Sequence, residues 1–387
     1  MSKKKIFAFL MAVMMLVCAA CGGSAEDSSV EESSVAEVSK QEESSKKEES
    51  SKQEESSKAA ESSKEESSVA EESSVAEVVI PEGNVNLLTG LYDLTDEAVG
   101  KRPVAIMINN IKASLPQYGI AGADIIFEMV AEQGISRLMA LWGDYTQIPN
   151  VCSLRSARPY YVEFAAGFDA VYLHAGGSNE GLNRIYELGL ANFDARYGDS
   201  LIFERDPDRL PYYALEHTMF VKGANIPERI EAYGYLTDAA EGYTDTAFQF
   251  NLPGAPVSNT DKACEELIIW FSDEYFSTFT YNEEDQLYYK QHSGEPHMVQ
   301  DTDTQLVFTN VLALETDVWS TDGYRMAMDS TGGTGYYFSN GVVQEIIWSK
   351  PSPYDRITIK DTDGNEITIN AGKTYIGITE YDTIEIK

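Results

Sequence analysis

The chain has 387 residues, 63 of them acidic against 29 basic, for a net charge of −34. An acid excess of this size repels phosphate backbones, which excludes nucleic acid as a partner, and it disfavours anionic lipid surfaces. Beyond the N-terminal pair Cys18 and Cys21, only Cys152 and Cys264 remain, 112 residues apart with no metal-type spacing around either, so a Cys-rich zinc site is excluded, and no pattern calls for another metal or a cofactor.

Lys3, Lys4 and Lys5 precede an almost wholly apolar run over residues 6–20, which ends Cys18-Ala19-Ala20-Cys21-Gly22. A charged start, an apolar stretch and small residues before a cleavage point make a secretory signal. The apolar run is shorter than the ~20 residues that cross a hydrocarbon core, which argues against an uncleaved span. The cysteine after Ala19-Ala20 resembles a bacterial lipobox, although Cys18 stands where that motif usually carries Leu. The resemblance implies that Cys21 becomes the mature N-terminus and carries lipid, anchoring the chain at the outer face of the cytoplasmic membrane. Residues 21–83 then read as a disordered tether of Ser, Glu, Lys, Gln, Ala and Val, with 18 acidic and 6 basic side chains and no aromatic. Its Ser-rich core, residues 24–79, would reach roughly 180 Å drawn straight and about 40 Å as a coil.

The remaining 304 residues hold 45 acidic and 20 basic side chains. Residues 84–238 read as an α/β domain. A strand buried on both faces is expected over 102–109. Residues 123–130 and 136–142 flank Glu132-Gln133-Gly134 as a hairpin, with a helix over 123–130 the less favoured alternative. Helices follow over 158–167, opened by Pro159, and over 178–188, capped by Ser178 and stopped by Gly189, with a strand at 169–174 between them. A third helix is expected over 226–233. Residues 239–387 read as an all-β domain, a sandwich or partial barrel, with strands at 267–271, 275–281, 287–290, 305–314, 336–339, 342–348, 357–359 and 366–369. Asn340-Gly341 and Asp363-Gly364 are hairpin turns, and Gly332 to Gly335 a flexible turn. The fold class is therefore α+β: an N-terminal α/β half with a mixed sheet, then an all-β half. Cys152 and Cys264 are expected as buried free thiols rather than a disulfide.

Several stretches are similar to the YerB-like lipoprotein family, whose two halves are paired domains of unknown function. They include Leu88-Thr89-Gly90-Leu91, Arg102 to Asn110, Ala123-Asp124, Glu132 with Gly134-Ile135-Ser136-Arg137, and Leu154 to Tyr160. His174-Ala175-Gly176-Gly177-Ser178, Gly294-Glu295-Pro296-His297, Asn310-Val311 and Gly335 to Phe338 with Trp348 continue the match in order. The resemblance implies location and architecture, but it brings no catalytic residues.

Chemistry must therefore come from the residues. The best constellation combines Arg155, Ser156 and Arg158 with the strand-turn-helix His174, Gly176, Gly177 and Ser178. Backbone N–H groups at such a turn cradle anions, and arginine forks bind carboxylate or phosphate. The bland alternative pairs the arginines with Asp124, Glu128 or Asp169. His174 with Ser156 or Ser178 lacks both a Gly-x-Ser-x-Gly elbow and an orienting third group. Glu128 and Glu132 on one strand face would lie about 13 Å apart, too wide for a glycosidase pair. His292 and His297 read as a hydrogen-bonded turn, His217 as a satisfied half-buried histidine, and the 361–366 stretch as a hairpin turn rather than a calcium loop. The 23 tyrosines could form sugar-stacking platforms, though strands favour Tyr anyway. The preferred function is a non-enzymatic, lipid-anchored envelope protein that binds a cell-wall glycan, an anionic ligand or another envelope protein. The alternative is an envelope hydrolase or transferase built on the Arg155/Arg158/His174 region.

Overall fold

Strict alternation over Val104–Asn109 (β1) sends Val104, Ile106 and Ile108 to one face of a sheet and Ala105 and Met107 to the other. Both sets are buried, so this strand needs cover on each side. The computed structural model, which describes residues 81–387, supplies it as three layers. The signal segment, Cys21 and nearly all of the tether lie outside the described residues. Among the described residues, no helix is long and apolar enough to cross a membrane.

The hairpin forms as Ile125–Glu132 (β2) and Ile135–Trp142 (β3), closed by Gln133 and Gly134, both at positive φ. Helix α1 (Pro159–Ala166), strand Val171–His174 (β4), helix α2 (Asn179–Glu187) and strand Asn192–Asp194 (β5) follow, with Ser178 Oγ accepting the Gly181 N–H at the start of α2. Helix α3 is Ile226–Ala232. Strands Glu266–Trp270 (β6), Phe276–Asn282 (β7) and Leu287–His292 (β8) begin the β-rich part. Asn310–Thr316 (β9), Gly332–Ser339 (β10), Val342–Ser349 (β11), Thr358–Lys360 (β12), Thr374–Glu380 (β13) and Ile384–Ile386 (β14) complete the main set.

Ten strands make one mixed sheet in the order β12-β11-β10-β9-β13-β2-β3-β1-β4-β5. It is α+β in class, with the N-terminal strands at one end and the C-terminal strands at the other. Strand β13 lies between β9 and β2, parallel to both, and so joins the two parts. A second sheet, with β8, β7, β6 and β14 in that order, covers one face of the large one, where Leu267, Ile269, Phe279 and Tyr288 pack against Ile126, Leu138 and Tyr375. The other face is covered by α1, whose Tyr161 and Phe164 pack on Phe127 and Met129.

Some elements differ from the sequence reading. Strand β13 was not expected. It has no flanking hairpin turn because parallel neighbours need none, and within it Gly377 lies under the second sheet; a Cβ there would stand 2.9 Å from Ile269 Cδ1. Gly332 to Gly335 are not a flexible turn but the first half of β10. A side chain at Gly333 would strike the Glu315 carbonyl of the adjacent strand. The single strand expected over 305–314 is broken into Thr304–Gln305, Val307–Phe308 and β9, which serve three different sheets. Glu128 and Glu132 do not share a face. A β-bulge between Val130 and Glu132 turns Glu132 toward α1, whereas Glu128 faces the second sheet. Cys152 and Cys264 are buried free thiols.

Candidate ligand site at the strand carboxyl ends

Parallel strands β1, β4 and β5 end side by side, and ligands of open α/β sheets gather beyond such ends. His174 closes β4 and Asp194 closes β5. The turn after β4 needs Gly176, which adopts φ +70° and passes beneath Arg196, so a Cβ there would stand 2.9 Å from Arg196 Cδ. Arg155 reaches the same place along an extended segment hydrogen-bonded to the end of β1, its N–H donating to the Met107 carbonyl at 3.0 Å.

Two adjoining hollows result. The smaller, about 180 Å³, is lined by Arg155, Arg196, Arg205, Glu216 and the apolar Leu154 and Met219. The larger, about 460 Å³, holds His174, Asn192, Asp194, Tyr186 and Tyr197. Arg196 lines both. Taken together they have the size of a small-molecule site, typically ~300–1,000 Å³.

The three guanidiniums are only partly used. Arg155 Nη2 meets Glu216 at 3.3 Å, and that carboxylate is itself largely exposed. Arg196 binds Asp194 through Nε at 2.8 Å and Nη2 at 2.6 Å, leaving Nη1 without a partner among the described residues. Arg205 donates to the Leu215 carbonyl and to Thr218 Oγ1 at 3.4 Å, and has no carboxylate partner among the described residues. Asp194 also accepts the N–H groups of Gly176 at 2.8 Å and Arg196 at 3.0 Å. Burial alone would raise its carboxyl, but the Arg196 guanidinium and these two N–H donors hold it below the usual range.

The residues picked from sequence divide accordingly. Arg155 and His174 line the hollows. Arg158 does not: it is buried and turned inward, its Nη2 paired with Glu132 and its Nη1 donating to the Ala157 carbonyl at 2.7 Å. Arg137 meets the same Glu132 at 2.7 and 2.9 Å, so one carboxylate ties two arginines beneath the site. Ser156 donates to the Ala175 carbonyl, Ser178 caps α2, and Gly177 packs against Leu182 and Ala157. The backbone cradle at Gly176 is filled by the protein's own Asp194. His174 is 1 % exposed, bonded through Nδ1 to the Gly176 carbonyl and through Nε2 to Asn192, and stacked on Tyr172. Burial pushes its pKa below the usual histidine value. The acids named as alternative partners are engaged elsewhere or not at all with these arginines: Asp169 pairs with Arg102 and Glu128 with Lys290.

Residues 88–236 match the N-terminal domain, and residues 267–376 the C-terminal domain, of a family described as "Protein of unknown function (DUF3048)". The chain belongs to that family. In this DUF3048 chain, similarity extends to the Bacillus subtilis protein named "Putative lipoprotein YerB", which is 28 % identical over 303 residues, covering 75 % of this chain and 85 % of the relative. The crystal structure of YerB from Bacillus subtilis superposes with a TM-score of 0.66 at 26 % identity, covering 78 % of this chain and 98 % of that one.

A second polar cluster of this DUF3048 body is sealed between its sheets. Glu128, 0 % exposed, accepts from Asn110 at 2.8 Å, Ser136 at 2.6 Å, Ser277 at 2.9 Å and Tyr375 at 2.8 Å, and stands 3.3 Å from Lys290 Nζ. Burial pushes Glu128 up, but Lys290, His292 and these donors outweigh it and hold the carboxyl below its usual value. His297 Nδ1 lies 3.1 Å from Lys290 Nζ, and its Nε2 bonds Gln117 at 2.8 Å. His292 has no hydrogen-bond partner on either ring nitrogen among the described residues. The expected turn forms at Ser293-Gly294, and both histidines beside it are buried in the core. Among the described residues no cluster of three metal-ligating side chains occurs. His217 is buried and bonded to Asn109 at 2.8 Å.

Sequence reasoning did not identify Arg196, Arg205, Tyr186 or Tyr197 as site residues. Arg196 carried the one available signal, because an Asp-x-Arg pair directly after a short strand forms a local fork over the preceding turn.

Proposed function

We propose that this chain is an exported, lipid-anchored envelope protein that binds an acidic ligand without transforming it. One observation carries the reading: three arginines with unused donors surround a single hollow at the strand carboxyl ends of a strongly acidic body. An acid entering there meets forked donors that are already positioned, and the surrounding negative charge disfavours anions everywhere else. Binding is favoured over catalysis because His174, Ser156 and Ser178 are committed to backbone, Asn192 and capping bonds, so neither serine faces the histidine as a nucleophile faces its base. The lipobox and the long acidic run before the body support a tethered position close to the membrane and facing the cell wall. The ligand class that fits both location and chemistry is an acidic wall component.

The test is co-sedimentation of the full chain in detergent with purified, protein-free cell walls. Retention that falls at least several-fold in Arg155→Ala/Arg205→Ala, with unchanged melting temperature, supports the reading. Equal retention of the variant and the unaltered chain overturns it.

A further inference from the structure

We infer that the site is bipartite and takes an acid-bearing saccharide, with the acid in the arginine hollow and a sugar ring in the larger hollow beside it. The inference rests on the anion-binding reading above and adds a ring subsite. Tyr186, at the end of α2, and Tyr197, just after β5, are 88 % and 85 % exposed yet line one cavity. Isolated exposed tyrosines are common, but two that face the same hollow form a platform of apolar ring surface with wet hydroxyl tips. The Arg196 guanidinium sits 5.6 Å from the Tyr197 ring centroid, within cation–π reach.

The remaining lining suits the apolar face of a ring, with Leu182, Ile185 and Leu190 adding apolar surface. Asn192 and Asp194 also line the hollow, but their side chains are held by His174 and Leu190 and by Gly176 and Arg196. Arg196 belongs to both hollows, so an acid held by its free Nη1 places the attached ring over the tyrosines. Carboxylates and phosphate monoesters share this chemistry, and both are tested.

The experiment is calorimetric titration of the full chain in detergent with N-acetylmuramic acid and glucose 1-phosphate. N-acetylglucosamine, lactate and inorganic phosphate are the comparison ligands. A stacked ring should make the two sugar acids bind about tenfold more tightly than lactate or phosphate. Tyr186→Ala/Tyr197→Ala should bring the sugar acids down to the level of the free acids while leaving phosphate binding unchanged. Tyr186→Phe/Tyr197→Phe, which keeps both ring faces, should retain the preference. Equal affinity for sugar acids and free acids, or an undiminished preference in the double alanine variant, overturns the ring subsite and leaves the anion site standing. Tightest binding of the neutral sugar, or no binding of any acid, overturns both.

Discussion

Replacing Lys290 by Met removes the cation from the sealed pair with Glu128. Both side chains are fully buried and 3.3 Å apart, and at an effective dielectric near 20 their attraction is about 5 kcal/mol. Breaking one partner of a buried pair costs ~3–5 kcal/mol, because the other charge stays in the interior uncompensated. Glu128 keeps its four neutral donors, which places the expected loss for Lys290→Met toward the lower end of that range. With about 2 °C of melting temperature per kcal/mol for a body of this size, the single variant should melt roughly 6–8 °C lower. Glu128→Gln should cost a similar amount, since it strands the ammonium. The double variant Glu128→Gln/Lys290→Met leaves no buried charge and should be more stable than the sum of the two single changes predicts, by about 2 kcal/mol or more. Denaturant and thermal unfolding of all four proteins form the assay. Single variants within 1 °C of the parent, or a strictly additive double variant, would refute the assignment of this pair as a coupled buried charge network.

Buried histidines set a pH dependence with a definite sign. Burial, then the Lys290 charge, lowers His292 to about 4, so between pH 6.5 and about 4 the unfolded chain takes up a proton that the folded chain refuses. Stability should fall through that window by up to about 3 kcal/mol from this residue; His292→Phe should make the decline in melting temperature with falling pH shallower, the rest coming from His174, His217 and His297, which burial also lowers. Below the ordinary carboxylate range a further loss should follow as Glu128 is protonated, and Glu128→Gln should remove it. Arg158→Ala, which leaves Glu132 with one arginine instead of two, should lower stability by ~2–4 kcal/mol, whereas Arg155→Ala, paired only with an exposed acid, should change it by less than about 0.5 kcal/mol. Gly377→Val should prevent the second sheet from seating on β13 and yield little folded protein, read as loss of near-ultraviolet circular dichroism.

Much of the scaffold could be read because its signals are local. Gln133-Gly134 closes a hairpin, Ser178 caps a helix that Gly189 ends, and Asn340-Gly341 joins two long strands; each needs only neighbouring residues. Strand β13 could not be read in that way. Its partners are more than 50 residues away on one side and more than 200 on the other, and it is bounded by no turn that announces them. Arg155 and Arg158 look equivalent in sequence, since both precede α1 within a few residues. What separates them is the bulge at the end of β2, which brings Glu132 under Arg158 and leaves Arg155 facing the hollow. The cradle at Gly176 was legible as a turn, but its occupant, Asp194, comes from the next strand. Arg205 and the two tyrosines join the site only through tertiary placement, so no spacing could have revealed them.

Hydrogen–deuterium exchange of the full chain, with and without a soluble digest of purified cell wall, tests the anion-binding account most directly. Slowed exchange is expected at residues 154–155, 174–197 and 205–219 alone, where the arginines and tyrosines line the hollows, with loss of that protection in Arg155→Ala/Arg205→Ala. Protection centred on any other surface, or the same pattern in the double arginine variant, would contradict it.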